Sequence, residues 1–133
     1  MILVDSSAWI ELLRASGTPA HHTLRRALRS GADLAVTEPV VMEVLAGARS
    51  DADLLELRDG LLSLPVVPID GLGDFERAAG IYRACRGGGE TPGSLMDCLI
   101  AAVAIRANGS LLHADSDFEA IARHTELRIH RAR

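Results

Sequence analysis

The sequence is poor in aromatic residues and contains no lysine. Phe, Trp and Tyr make up 3% of the 133 residues, hydrophobic residues make up 48%, and all 14 basic residues are arginines. The core must therefore be aliphatic and rich in alanine. The chain is long enough for one ordinary core and short for two. We expect a single domain over residues 1–133.

Acidic residues outnumber the arginines, so the formal net charge is −4. This balance argues against a protein that coats nucleic acid by charge alone, for which a basic excess is expected. It leaves room for an enzyme that meets phosphates through a bound metal and local arginines. Cys85 and Cys98 form no CxxC pair, and two cysteines in such a chain are more often buried thiols than a disulfide.

The sequence shows neither a signal peptide nor a membrane span. An aspartate follows the apolar residues 2–4 at once, and no basic region precedes them. No apolar run approaches the roughly 18 residues that a membrane span needs. We therefore expect a cytoplasmic protein without membrane contact.

Short aliphatic runs alternate with helical patterns along the chain. Strands are predicted at residues 2–4, 34–36, 65–69, 110–113 and 127–129, and helices at 8–14, 19–30, 37–47, 51–64, 71–86 and 94–107, with a helical turn at 117–123. This alternation predicts an α/β fold with a central, mostly parallel sheet of four to five short strands and helices on both faces. Prolines 65 and 68 place the third strand at the sheet edge.

Two details of the helices are also predicted. Ser6-Ser7 is expected to supply the N-cap of the first helix. The inner face of the helix at 71–86 is expected to consist of Phe75, Ala78, Ala79, Tyr82 and Cys85.

Carboxylates stand where this kind of fold forms ligand sites. Asp5 ends the first strand and Asp115 follows the fourth, while Glu43 and Asp97 lie in apolar helices that open on the same edge. Converging carboxylates repel one another unless a divalent cation neutralises them, and hard oxygen ligands suit Mg²⁺ or Mn²⁺. The chemistry that follows is metal-assisted attack of water on a phosphodiester.

Each carboxylate also has an ordinary structural explanation. Asp5, Glu43 or Asp97, taken singly, could cap a helix or pair with an arginine inside the fold. The Asp-Ser-Asp sequence at 115–117 is also a common N-cap, so one of its aspartates could serve only as a cap. Three acids in equivalent settings favour a site over three separate structural roles.

Four segments together resemble the acidic motifs of the PIN-domain nucleases. They are VDSSAWI at 4–10, VVMEVLAG at 40–47, SLMDCLIAA at 94–102 and HADSDF at 113–118. The resemblance covers the whole chain in length and motif order, and it is greatest to the VapC toxins of bacterial toxin–antitoxin systems.

This resemblance implies a Mg²⁺- or Mn²⁺-dependent endoribonuclease built on a three-layer α/β/α PIN domain. Asp5, Glu43, Asp97 and Asp115 correspond to the acidic quartet. Asp117 is a further acid that can reach the metal through water. The metal ligands are then Asp5, Asp97, Asp115 and Asp117.

The resemblance also implies partners. The substrate is an RNA such as tRNA or rRNA, cut in a single-stranded loop. A cognate VapB-type antitoxin lays a segment across the acidic site, and a homodimer of the toxin forms a hetero-oligomer with it, reaching DNA only through the antitoxin. His113 stands where relatives commonly have Thr or Arg, so no RNA contact is carried over at that position.

Ser7 and Arg86 support the predicted site. Ser7, one turn past Asp5, can offer its hydroxyl to a metal-bound water or to the substrate. Arg86 lies at the base of the glycine-rich loop 87–93, which we expect to be mobile and beside the site, and it is a candidate for contact with an RNA phosphate. The loop lacks the Gly-Lys-Ser/Thr ending of a P-loop and follows no strand.

A rival hypothesis is a binding module of the same fold with weak or lost catalysis. Such a protein would act with its antitoxin in a DNA-bound autorepression complex. The intact acidic quartet speaks against it. A phosphatase or nucleotide-binding domain ranks last, because there is no glycine fingerprint after the first strand.

Overall fold

Strands and helices alternate along residues 1–131, the part of the chain that the computed structural model describes. Residues 132 and 133, which fall within the expected domain, lie outside the described residues. The strands are β1 (Ile2–Val4), β2 (Leu34–Thr37), β3 (Val66–Val67), β4 (Ser110–Leu112) and β5 (Arg128–Ile129). The helices are α1 (Ser6–Leu13), α2 (Pro19–Ser30), α3 (Glu38–Ala46), α4 (Asp51–Leu62), α5 (Gly71–Gly87), α6 (Leu95–Arg106) and α7 (Ser116–His124).

The strands form one parallel sheet in the order β3-β2-β1-β4-β5. The central strand β1 pairs on one side with β2, where Ile2 lies opposite Leu34, and on the other with β4, where Val4 lies opposite Leu112. The parallel sheet and the edge position of β3 are therefore confirmed. Because the chain leaves β1 toward β3 and returns to β4, the strand order reverses between β1 and β4. Ligands of open parallel sheets bind at such a reversal, at the carboxyl ends of the strands.

The helices pack in two groups, one on each face of the sheet. Helix α1 contacts α2 and α3, and α3 contacts α4, whereas α5, α6 and α7 contact one another. Right-handed crossovers require this division, because the connections before β3 run in one direction across the sheet and those after it run in the other. The three-layer α/β/α architecture is confirmed.

The core is aliphatic, and α6 lies deepest in it. Every residue of α6 from Asp97 to Ala104 is buried, as expected for a helix that is apolar almost all round. Phe118 of α7 is fully buried against the same cluster. Both cysteines are buried free thiols, as predicted. Within residues 1–131, no helix is both long and apolar enough to cross a membrane.

The predicted start of α1 is wrong by two residues. Asp5, not Ser6-Ser7, is the N-cap, because its side chain accepts a hydrogen bond from the Ser7 N–H. An aspartate caps a helix as well as a serine does. A residue that ends a strand can therefore also start the next helix.

The predicted inner face of α5 is rotated by about one residue from the observed one. Asp74, Ala78, Ile81 and Cys85 are buried, whereas Phe75 is 52% exposed. The buried row follows helical spacing, but it begins with an aspartate. A sequence pattern based on apolar residues alone misses that row, because the charge of Asp74 is matched by an arginine from another helix.

Candidate active site

Aspartates gather at the carboxyl ends of β1 and β4, on either side of the strand reversal. Asp5 follows β1 directly, and Asp115 precedes α7. Asp97 lies in the first turn of α6, and Asp117 in the first turn of α7. Helix N-termini carry partial positive charge, which favours carboxylates there. The fold therefore brings these side chains together from three separate segments.

Asp97, Asp115 and Asp117 form the tightest group of acids. One carboxylate oxygen from each lies within 4.8 Å of the other two. Asp115 also caps α7, since its Oδ1 accepts from the Asp117 N–H at 2.9 Å. Capping and membership of the acidic group are thus not alternatives for Asp115, because a carboxylate has two oxygens.

Asp5 is the most buried of these acids, with 2% of its surface exposed. Its Oδ2 accepts from the Ser7 N–H at 2.9 Å and from the Ser7 hydroxyl at 2.6 Å. Its Oδ1 is buried without a hydrogen-bond partner among residues 1–131. A buried carboxylate oxygen left in this state is costly unless a cation compensates it.

The acids strongly perturb one another. Burial raises the pKa of Asp97 to about 7, with Asp115, Asp5, Asp117 and Glu43 adding to the shift in that order. The pKa of Asp5 is also raised, by burial first and by Asp115 to a smaller degree, although hydrogen bonds from Ser7 and Ser6 oppose the shift. Such mutual repulsion is expected where carboxylates share a site without a counter-charge.

Glu43 lies at the margin of this group. Its Oε1 accepts from the Ser6 hydroxyl at 3.1 Å, and it is not part of the close group formed by Asp97, Asp115 and Asp117. Burial raises its pKa, and Asp5 adds to that shift. Glu43 therefore shares the electrostatic field of the site, while Ser6 fixes its position. No sequence pattern singles out Ser6 for this contact, because 37 residues separate the two.

Ser7 joins the two halves of the site. Its hydroxyl donates to Asp5 and accepts from the Ala114 N–H at 2.9 Å. Ser7 thus connects the end of β1 to the turn between β4 and α7. In the structure this hydroxyl contacts the protein itself, so the predicted contact with substrate or water stays a prediction.

The glycine-rich loop lies beside the acids, as predicted. The Gly93 N–H donates to Asp117 Oδ2 at 3.1 Å. Glu90 accepts from Arg123 Nε at 3.0 Å, and its Oε2 is 3.1 Å from His124 Nε2. The loop is thereby fastened to α7 at two points. Sequence reasoning placed this loop beside the site but did not foresee the hydrogen bond from the Gly93 N–H to Asp117, since a backbone donor leaves no trace in residue type.

The structure places Arg86 in a different contact from the predicted one. Its guanidinium carbon lies 5.7 Å from the centre of the Tyr82 ring, one helical turn away on α5. A stack of this kind is an ordinary cation–π pair. Contact with RNA phosphate stays a prediction for Arg86.

The residues present fit a hard divalent cation. All donors are carboxylates, three of them lie within 4.8 Å of one another, and Asp5 Oδ1 is buried without a hydrogen-bond partner among residues 1–131. Mg²⁺ and Mn²⁺ prefer such oxygen ligands and retain waters in open positions. Asp97, Asp115 and Asp117 are the residues that would hold the ion, with Asp5 beside them.

The comparisons with known proteins agree with this fold. The family model described as PIN domain matches residues 2–124. The chain is 48% identical over 128 residues to VapC ribonuclease Mb1587 of Mycobacterium bovis and to ribonuclease VapC11 of Mycobacterium tuberculosis, covering 96% of this chain and 96% of each relative. The chain therefore belongs to the PIN-domain family and groups within it with the VapC proteins.

A solved structure supports the fold alone. The VapBC2 complex of Rickettsia felis, bound to a DNA fragment from its promoter, contains a chain that matches with a TM-score of 0.73 at 17% identity. The match covers 98% of both chains.

Proposed function

We propose that this protein, as one PIN domain over residues 1–133, is a metal-dependent endoribonuclease toxin of a toxin–antitoxin module. The observation that carries the proposal is the convergence of Asp97, Asp115 and Asp117 beside the unpartnered Oδ1 of Asp5. The PIN-domain family and the 48% identity to proteins named VapC ribonucleases support a ribonuclease role for this site.

The proposed chemistry is hydrolysis of an RNA phosphodiester by water. A bound Mg²⁺ or Mn²⁺ would lower the pKa of a water molecule and offset negative charge on the scissile phosphate. Asp97, Asp115 and Asp117 hold that ion, and Asp5 completes the group. Glu43 contributes negative charge at the margin and is positioned by Ser6. Loops of tRNA or rRNA are the proposed substrate, because proteins that select an RNA site mostly bind single-stranded loops, whose unstacked bases are accessible.

The proposed antitoxin has a candidate binding surface next to the acids. A cavity of about 370 Å³ lies between α1, α3 and α4 and includes Glu43. Ile10, Leu13, Val44 and Leu57 supply apolar walls, and Arg14 and Arg49 supply positive charge. Glu43 and Asp53 add negative charge to the same lining, so an antitoxin segment with apolar side chains and charges of both signs suits it. We further propose a cytoplasmic homodimer that forms a hetero-oligomer with the antitoxin and reaches DNA only through it.

The test is cleavage of total cellular RNA by purified, antitoxin-free protein with Mg²⁺, with Mn²⁺ and with EDTA. Asp97→Asn removes one ligand at nearly constant volume, and Asp59→Asn, on the exposed surface of α4, is the matched control. We expect discrete fragments that require metal, persist in Asp59→Asn and vanish in Asp97→Asn. Mapping the fragment ends would identify the RNA.

Intact RNA under every condition, from folded protein that binds Mn²⁺, would overturn the nuclease proposal. The rival hypothesis would then take its place. In that case the protein would be a binding module that acts with its antitoxin on promoter DNA.

A further inference from the structure

His113 makes an unusual contact immediately before residues 114–117, which contain Asp115 and Asp117 and which we call the acidic turn. It follows β4 directly, its side chain is 8% exposed, and its Nδ1 is 3.0 Å from the backbone nitrogen of Asp115. A side-chain acceptor bonded to the N–H two residues later closes a local turn, in the way that Asn and Asp do in Asx-turns. The imidazole thus fixes the backbone of Asp115.

This contact determines the tautomer of His113. A backbone N–H can only donate, so Nδ1 must present its lone pair. The proton of the neutral ring then lies on Nε2, which is 3.2 Å from Glu119 Oε1 and donates to it. The two ring nitrogens are therefore used in opposite senses, one as acceptor and one as donor.

Glu119 is itself held by the segment that follows β5. Arg131 donates from Nη1 to Oε1 at 2.6 Å and from Nη2 to Oε2 at 2.8 Å. Bidentate arginine–carboxylate pairs fix orientation as well as charge. The chain of contacts thus runs from Arg131 through Glu119 and His113 to the main chain of Asp115.

The acidic turn is anchored on both sides by this arrangement. The Ala114 N–H donates to Ser7, and the Asp115 N–H donates to His113. Residues 114 and 115 consequently have little freedom to rotate, and the Asp115 carboxylate is directed at Asp97 and Asp117. His113 does on the β4 side what Ser7 does on the β1 side.

We propose that His113 is a positioning residue for the Asp115 carboxylate, and that Glu119 and Arg131 hold the imidazole in the tautomer that this task requires. The proposal rests on the proposed role of Asp115 as a metal ligand. Packing alone does not account for the geometry. The ring lies 5.3 Å from that of Phe118, and any apolar side chain of similar size would satisfy that contact.

The first measurement needs neither metal nor RNA. Long-range proton–nitrogen NMR of the His113 ring distinguishes a proton on Nε2 from one on Nδ1, and hydrogen exchange reports the Asp115 amide. We expect the proton on Nε2 and a slowly exchanging Asp115 amide in the wild type. A proton on Nδ1, or an unprotected amide, would overturn the proposal.

The second measurement is a Mn²⁺ titration, in which electron paramagnetic resonance reports the concentration of free ion. His113→Leu keeps the packing but removes the acceptor, whereas His113→Asn offers Oδ1 to the same N–H. We expect His113→Leu to weaken Mn²⁺ binding about 10- to 100-fold, as loss of a residue that orients a ligand does. His113→Asn should stay within about threefold of the wild type, because an Asx-turn replaces the lost bond. The exposed His22→Leu on α2 is the control.

Equal weakening by Leu and Asn would show that an acceptor for the Asp115 N–H is not what matters, and wild-type binding in His113→Leu would reduce His113 to a packing residue; either result would defeat the proposal. If His113→Leu does not fold, Glu119→Ala replaces it. The expected result is then weaker Mn²⁺ binding and a less protected Asp115 amide, and wild-type values for both would count against the proposal.

Normal Mn²⁺ binding without RNA cleavage would contradict the proposed function alone. Failure of the wild type to bind Mn²⁺ would contradict the proposed metal site, and the NMR measurements would still decide whether His113 holds the turn.

Discussion

The Ser7 hydroxyl oxygen lies 2.6 Å from Asp5 Oδ2, and it also accepts the N–H of Ala114. One hydroxyl therefore donates in one direction and accepts in the other, which uses its single proton on Asp5 and leaves one lone pair for a further donor. The bond links the strands on either side of the reversal at the point where their carboxyl ends diverge. It also leaves Asp5 Oδ1 as the free oxygen of that carboxylate.

The first prediction concerns Ser7→Ala. The substitution leaves Asp5 and the Ala114 N–H without their partner, so the unfolding free energy should fall by about 1–3 kcal/mol. Mn²⁺ binding should weaken as well, because Asp5 loses its fixed orientation. Urea unfolding and Mn²⁺ titration measure the two effects. Ser7→Thr, which keeps the hydroxyl, should restore most of both; a Thr variant as impaired as Ala would show that the bond is unimportant.

The second prediction concerns the conflict between stability and function in Asp97. Its charge is buried among other carboxylates, so Asp97→Asn should raise the unfolding free energy of the metal-free protein by about 1–3 kcal/mol at alkaline pH. The same change should abolish metal-dependent cleavage. Urea unfolding in EDTA, with Asp59→Asn as control, measures the gain. A destabilised Asp97→Asn would mean that the other acids do not repel Asp97 in the folded protein.

The third prediction is a pH dependence of opposite sign to ordinary acid denaturation. Because burial and the neighbouring acids raise the pKa of Asp97 from 3.8 to about 7, the folded protein keeps a proton in this interval that the unfolded chain has lost. The unfolding free energy should therefore fall as pH rises from about 4 to about 7, by at most about 1.4 kcal/mol per pH unit for this group. The raised pKa values of Asp5 and Glu43 act in the same sense.

Melting temperatures in EDTA across this pH range provide the measurement. The decline should flatten in Asp97→Asn and should disappear when Mn²⁺ is added, since the cation compensates the carboxylates. A melting temperature that climbs steadily up to neutral pH, without metal, would contradict the prediction. Below about pH 4 the lowered pKa values of Asp74 and Glu119 work the other way, and stability is lost with acid.

The fourth prediction concerns the pair formed by Arg106 of α6 and Asp74 of α5. Asp74 is fully buried. Burial alone would raise its pKa, but hydrogen bonds from Arg106 and from the Asp70 N–H more than offset that effect and lower it. Arg106 Nε and Nη2 contact the carboxylate at 3.0 to 3.1 Å, and Nη2 also donates to the Pro68 carbonyl at 2.6 Å. The pair thus joins both helices to the end of β3.

Replacing one residue of this pair should lower the unfolding free energy more than replacing both. Arg106→Leu leaves the buried carboxylate with only the partly exposed Arg77, whose Nε is 3.5 Å from Asp74 Oδ1, and should lower the unfolding free energy by about 3–5 kcal/mol. The double variant with Asp74→Leu should recover much of that loss, because no uncompensated charge remains. Urea unfolding of both single variants and the double variant gives the coupling free energy between Arg106 and Asp74. Additive losses would show that the two residues act independently.

The fold was largely predictable from local patterns, because strand and helix formation depend on neighbours in sequence. The β-branched run at 2–4, the prolines around 66–67 and the apolar helix that contains Asp97 each indicated their place in the sheet or core. The convergence of Asp5, Asp97 and Asp115 followed from one rule about parallel sheets. These predictions required only the spacing of residue types.

The contacts that orient the site could not be predicted in this way. Ser6 reaches Glu43 across 37 residues, and Gly93 reaches Asp117 across 24. Such pairs depend on the separation of packed helices, which no local pattern encodes. The error on α5 has the same origin. Asp74 is buried because Arg106 of another helix contacts its carboxylate, and an aspartate in a sequence does not indicate a partner that is distant along the chain.

The order of the strands also determines when the acidic centre can form during synthesis. The central strand β1 is synthesised early, but one of its two neighbours, β4, follows only after eight further elements. A nascent chain that ends before β4 already contains Asp5, Glu43 and Asp97, yet lacks Asp115, Asp117 and the strand that brings them to Asp5. Completion of the acidic centre is therefore delayed until β4 and the start of α7 have been synthesised, long after Asp5 has left the ribosome.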